Sequence, residues 1–203
     1  MINDLRFDEQ EHKYYFKGSL VPNVTSIIDS IKLIDFGYIK KDVLKAACYR
    51  GTAVHETIRL YNKDTLDLPK LADKWKGYLA AYINFMNDTD AEVVNYETKV
   101  FSKKYMFAGT LDLIAKINGK LHLIDFKTGV ISSKSCRLQT SAYESCYREM
   151  TGEKKIIKRH ALKLNEDGTY KLSNEYKDKN DFRYFLSALQ IYNFKNVAQK
   201  ERF

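Results

Sequence analysis

Cysteine is scarce in this chain: 203 residues include only Cys48, Cys136 and Cys146. An odd number with no C-x-x-C spacing argues against a disulfide framework and against a zinc ribbon, and fits a reducing compartment. Long apolar runs are missing too, since no segment reaches the roughly 18 consecutive apolar residues of a membrane span. The N-terminus lacks an apolar core and carries Asp4, Asp8, Glu9 and Glu11 instead. Neither a secretory signal nor an Arg-rich transit peptide is therefore expected, and a cytoplasmic location is. Internal repeats, low-complexity tracts and linkers are also lacking. At this length that leaves one domain over residues 1–203, with an N-terminal hairpin extension in 1–24 and a core over about 38–195.

What is present is ordinary globular material, 44% hydrophobic and 30% charged. The charges do not balance. Thirty-four basic residues face 26 acidic ones, for a net charge of +8 and a pI near 9.2. Such a surplus suits a polyanion-binding protein, although charge alone does not separate one from an ordinary basic protein. Fifteen tyrosines and eleven phenylalanines offer stacking platforms for unpaired bases, with most of them expected in the core or the sheet.

The most informative stretch runs from Glu97 to Tyr143. Within it, Asn118-Gly119 is a strong hairpin signal, because both central positions of a type I′ turn want positive φ. With these two residues in the turn, Ile117 pairs with Lys120 and Asp112 faces Asp125. Ile114 and Leu123 pair on the same side, so the two carboxylates meet on a partly buried face. Like charges opposed across strands repel, and more so when buried. A divalent cation held between them removes that conflict. Period-2 alternation puts Lys127 on the same face as Asp125. The competing expectation is a solvated hairpin with two ordinary surface aspartates. The run Leu121-His122-Leu123-Ile124-Asp125-Phe126 argues against it, because its charge ends an apolar strand.

Three motifs occur in order: Gly109-Thr110-Leu111-Asp112, then Ile124-Asp125-Phe126-Lys127-Thr128-Gly129, then Gln139-x-x-x-Tyr143. This set resembles the PD-(D/E)XK nuclease superfamily, and within it the RecB-like exonuclease branch of phage type. The resemblance covers roughly residues 50–145. It implies an α/β fold with a restriction-endonuclease-like core, a central mixed β-sheet flanked by helices on both sides. It also implies metal-dependent hydrolysis of phosphodiester bonds at DNA ends, with a preference for single strands, in recombination, repair or phage DNA processing. A recombination or replication protein partner in a bacterial or phage-infected cell belongs to the same expectation. A structure-selective DNA endonuclease or a non-catalytic DNA-binding module are the alternatives, the latter disfavoured because the motif residues are all present.

Site residues follow from the resemblance. Gly51 and His55 match the Gly-x-x-x-His that this branch carries on a helix, where the histidine completes the metal site. Read alone, His55 is more simply a hydrogen-bonded core histidine. Asp112, Asp125, Lys127 and Glu97 are the expected catalytic residues. His55, Asp112, Asp125 and the Phe126 carbonyl are the expected ligands of one or two Mg²⁺ or Mn²⁺ ions. An imidazole ligand favours Mn²⁺, so activity with both and more with Mn²⁺ is expected. Gln139, Tyr143, Arg137 and Thr128 are the expected substrate contacts. Some relatives carry a four-cysteine iron–sulfur cluster; three cysteines cannot complete one, and no cluster is expected.

Around this core the pattern predicts strands at 5–7 and 14–16 and a helix after Val24, capped by Asn23 or Thr25. Further helices are expected over 38–61, 68–86, 134–150 and 181–199. Gly51 is expected to let its helix approach the sheet closely. Leu111, Leu113 and Ala115, with Ile124 and Phe126 across, should make the hairpin apolar on the side away from the aspartates.

Overall fold

The computed structural model describes residues 4–9, 11, 13–33, 37 and 39–200. Two sheets form. The first is an antiparallel three-stranded sheet of β1 (Leu5–Asp8), β2 (Lys13–Phe16) and β3 (Ser19–Val21). The third strand was not expected from sequence. Its signal is Lys17-Gly18, which turns between the paired Phe16 and Ser19 with both residues at positive φ. The second sheet is mixed and five-stranded, in the order β4 (Glu92–Ser102), β5 (Phe107–Ile117), β6 (Lys120–Lys127), β7 (Ile157–Leu164) and β8 (Tyr170–Leu172). Only the β6–β7 pair is parallel. Its crossover carries helix α4 (Ser133–Thr151), as a parallel connection requires.

Helices cover both faces of the five-stranded sheet. On one face α1 (Val24–Ser30), α4 and α5 (Asp181–Lys200) bury Ile27, Ala142 and Phe185 against Leu111, Ile114 and Leu123. On the other, α2 (Lys41–Asn62) and α3 (Asp73–Asp88) bury Ile58, Tyr82 and Phe85 against Leu113, Ile124 and Phe126. This is an α/β fold with a central mixed sheet, and the expected apolar stripes account for it. Leu111 is an exception: it packs with Ile114, not with Leu113 and Ala115. Strict alternation therefore fails just before Asp112.

The Asn118-Gly119 turn forms with both residues at positive φ, and Ile117 pairs with Lys120 as the register demands. Polar contacts join the first sheet and the segment after it to the second. Asn23 bridges to Ala108 in parallel, the Ala108 N–H donates to the Pro22 carbonyl at 3.0 Å, and the Tyr14 and Thr110 hydroxyls lie 2.7 Å apart. Asn23, rather than Thr25, caps α1, its side chain accepting the Ser26 N–H at 2.7 Å.

Two helix expectations need correction. Residues 68–86 do not form one helix. Pro69 sits in a 3-10 turn at Leu68–Lys70, Leu71 and Ala72 are extended, and α3 begins at Asp73. Gly51 is not a point of close helix–sheet approach, since a Cβ added there would meet nothing within 4 Å. The contact that demands glycine is elsewhere. A Cβ on Gly77 of α3 would lie 1.6 Å from the Glu166 carbonyl oxygen in the β7–β8 turn. Tyr38, the expected start of the second helix, lies outside the described residues, and α2 begins at Lys41.

Candidate metal centre

Three elements deliver one cluster. From α2 comes His55, from β4 Glu97, and from β5 Asp112. One ligand atom of each lies within 4.8 Å of the other two. His55 Nδ1 is 3.3 Å from Asp112 Oδ1 and 3.5 Å from Glu97 Oε1. Glu97 is turned in by an unusual backbone: it adopts φ +43° inside a strand, between the pairs Tyr96↔Leu113 and Thr98↔Leu111. It thus stands across from Asp112. A non-glycine residue held there stores on the order of 1–3 kcal/mol of strain, which the surrounding sheet must sustain.

The β5–β6 ladder ends at Leu113↔Ile124, one pair short of the two aspartates. The Asp112 carboxylate takes over: its Oδ2 accepts the Phe126 N–H at 2.6 Å. Asp125, only 1% exposed, turns to Lys127 instead, with Oδ2 2.5 Å from Nζ. Lys127 Nζ also donates to Gln139 Oε1 at 3.1 Å, and Gln139 Nε2 donates to the Tyr143 hydroxyl at 3.2 Å. Gln139 and Tyr143 lie four apart on α4, where side chains on one face meet. Gly109 makes room for this arrangement, because a Cβ there would lie 2.5 Å from Tyr143 Cε1.

The charges are tightly linked. Burial would depress the His55 pKa, but the Asp112 and Glu97 carboxylates outweigh it and raise it well above 6.5. Burial opposes ionisation of Asp112, yet His55, Lys127 and the Phe126 N–H hold its pKa below the usual carboxylate range. Burial would likewise lower the Lys127 pKa, and Asp125 foremost holds it above the ordinary value. Burial raises the Tyr143 pKa well above 10, with the Asp125 and Asp112 charges adding to the shift. Among the described residues, no hydrogen bond reaches Asp125 Oδ1, and Glu97 Oε1 meets only the His55 ring at 3.5 Å. Buried carboxylate oxygens without donors are costly unless something else satisfies them. One imidazole and two carboxylates converging in this way can hold a metal ion.

The cluster opens into a cleft of about 990 Å³, lined by Tyr14, Gly51, His55, Glu97, Asp112 and Tyr143 among others. Gly51 keeps that wall of α2 bare. Of the residues expected from sequence, His55, Glu97, Asp112, Gln139 and Tyr143 face this cleft. Asp125 and Lys127 do not line it but join it through the Lys127–Gln139 hydrogen bond. Thr128 accepts a hydrogen bond from Arg50 Nε at 3.4 Å. Arg137 is not brought to the site: its guanidinium is bound to Asp178 and Asp181 at 2.6 Å each. Asp181, 1% exposed, is shared with the buried Arg159. Sequence reasoning missed Tyr14, whose hydroxyl meets Thr110 of the Gly109–Asp112 motif. It also gave no role to Arg59 and Lys63, two cations of α2 on the cleft wall. Two successive four-residue steps from His55 were the available signal.

No family model matches the chain, and no curated protein does. Among solved structures it is similar to one titled "Crystal structure of SSO0001", with 14% identity, 86% of this chain and 84% of that chain covered, and a TM-score of 0.34. Among the described residues, no helix is long and apolar enough to cross a membrane.

Proposed function

We propose that this protein is a metal-dependent deoxyribonuclease of the PD-(D/E)XK type, acting as an exonuclease on DNA ends. One observation carries the reading: the His55–Glu97–Asp112 cluster adjoins an Asp125–Lys127 ion pair at the end of the β5–β6 hairpin. An ordinary core offers no reason to collect three carboxylates, an imidazole and an ammonium there. The RecB-like resemblance supplies one, as it implies these same residue types in this order.

His55, Glu97 and Asp112 would hold the ion, Mg²⁺ or Mn²⁺ being the cations that suit oxygen ligands with one imidazole. When bound, such an ion acidifies water and neutralises charge on a phosphodiester. The chain's own groups do the rest. Asp112 is fixed by the Phe126 N–H, so its Oδ1 is committed to the cleft side with His55. Lys127 keeps its proton beside Asp125 and presents a cation to a phosphoryl oxygen. Gln139 holds that ammonium, and Tyr143 holds Gln139. Lys63 contributes positive charge to the cleft wall, where Arg59 is ion-paired with Glu56.

End-labelled linear DNA, single- and double-stranded, and closed circular DNA are the deciding substrates. Loss of linear strands with Mg²⁺ or Mn²⁺, circles spared and EDTA blocking, is expected. Nicking of circles makes it an endonuclease. Binding without cutting makes it a DNA-binding module.

A further inference from the structure

Four of the six α2 residues that line the cleft follow one stripe: Thr52, Glu56, Arg59 and Lys63, at steps of four, three and four. Such positions share a helix face. One further step of three toward the N-terminus reaches Tyr49, whose side chain is 62% exposed. Tyr49 does not stand alone. Its ring centroid is 5.9 Å from that of Trp75 on α3, tilted by 57°. The Lys74 ammonium lies 4.7 Å from the Trp75 ring and 5.5 Å from the Tyr49 ring. Next in sequence, Arg50 donates to Thr128, one residue beyond Lys127, and among the described residues pairs with no carboxylate. Two aromatic rings and two cations thus lie just beyond the residues that line the cleft, with Tyr49 about 9 Å along α2 from His55.

From this placement beside the cleft we infer that Tyr49 and Trp75 form a stacking subsite for an unpaired base of the bound strand, flanked by Arg50 and Lys74 as phosphate contacts. The inference rests on the nuclease reading and narrows its substrate to single-stranded DNA. Aromatic faces accept any base, and adjacent cations track the backbone; together they bind single strands without sequence preference. A duplex presents paired bases stacked on one another, with no free face for Tyr49. The plainer alternative is a self-contained surface cluster in which Lys74 merely covers Trp75.

Trp75 is the chain's single tryptophan, so its fluorescence reports on the subsite directly. The Lys127→Ala protein with Mg²⁺ is titrated with an oligothymidylate and with an abasic oligonucleotide of the same length. Quenching by the oligothymidylate is expected, with little by the abasic strand. Adding Tyr49→Ala should weaken oligothymidylate binding by roughly fivefold or more, as loss of one stacked base does, while Tyr49→Phe keeps it. Binding of both strands without quenching, and indifference to Tyr49→Ala, would overturn the subsite and leave the nuclease reading intact if the unmodified protein still cuts DNA. Absence of both binding and cutting would remove the nuclease reading itself, and the subsite with it.

Discussion

Asp112 accepts the backbone N–H of Phe126 through Oδ2 at 2.6 Å. The carboxylate takes the place of a ladder acceptor where β5 and β6 part, and so one side chain ends the hairpin and aims its other oxygen at His55. The geometry dictates which variant is informative. Asp112→Ala would strand a buried N–H at a cost of about 1–3 kcal/mol, confusing stability with function. Asp112→Asn keeps an acceptor there.

Metal binding is the first expectation. A ligand at a hundredfold excess over its Kd stabilises the folded state by about 2.7 kcal/mol, which in a chain of this size is roughly 2–4 °C of Tm per kcal/mol. Mn²⁺ and Mg²⁺ should raise the melting temperature of the unmodified protein, and Asp112→Asn or His55→Ala should abolish most of the rise. His55 is held protonated by its carboxylate neighbours, so binding should release a proton and weaken as pH falls. Isothermal titration in two buffers of different ionisation enthalpy measures that release.

Gly109→Ala should disable the site by sterics. The new Cβ would lie 2.5 Å from Tyr143 Cε1, forcing the ring and its hydrogen bond to Gln139 to shift. A loss of kcat of tenfold or more is expected at near-native metal affinity, since a misplacement of about 1 Å can cost on the order of a hundredfold. Steady-state cleavage beside Mn²⁺ titration separates the two effects.

Gly77→Ala tests the fold away from the site. Its Cβ would collide with the backbone carbonyl of Glu166 at 1.6 Å, so α3 or the β7–β8 turn must move. Destabilisation of at least about 1–3 kcal/mol is expected, read from urea midpoints, with metal affinity unchanged.

Acid sensitivity should come from a histidine pair away from the metal cluster. His122 and His160 stack at 5.2 Å on the neighbouring strands β6 and β7, both largely buried. Burial first, then the charges of His160 and Lys158, push the His122 pKa down to about 4, and burial lowers that of His160. The folded state therefore holds these rings neutral while the unfolded chain takes up protons below about pH 6.5. Stability is complete above that pH and falls as pH drops toward 4, by about 3 kcal/mol for His122 at roughly 1.4 kcal/mol per unit. Denaturant midpoints between pH 7 and 4 should show the slope, and His122→Phe, which keeps the stack, should reduce it.

The legible part of the sequence was local. Asn118-Gly119 set a register that the strands follow, and that register alone placed Asp112 and Asp125 at the same end of the hairpin. Alternation and helical spacing likewise identified both faces of the sheet. Long-range competition was not legible. Arg137 reads as a free cation on α4, yet its partners Asp178 and Asp181 lie more than 40 residues later. Gly51 and Gly77 look alike in sequence, and only packing reveals that the first faces open space and the second a carbonyl. Glu97 was expected near the site by resemblance alone; its left-handed backbone has no sequence signature.

The most direct test is single-turnover cleavage of an end-labelled single strand by the unmodified, Asp112→Asn and Lys127→Ala proteins, each with Mg²⁺, Mn²⁺ or EDTA. Metal-dependent cleavage by the unmodified protein is expected, faster with Mn²⁺, lost in EDTA and lost in both variants, with Lys127→Ala still binding Mn²⁺. Cleavage that survives EDTA, or that persists in Asp112→Asn at the original rate, would contradict the assignment of this site.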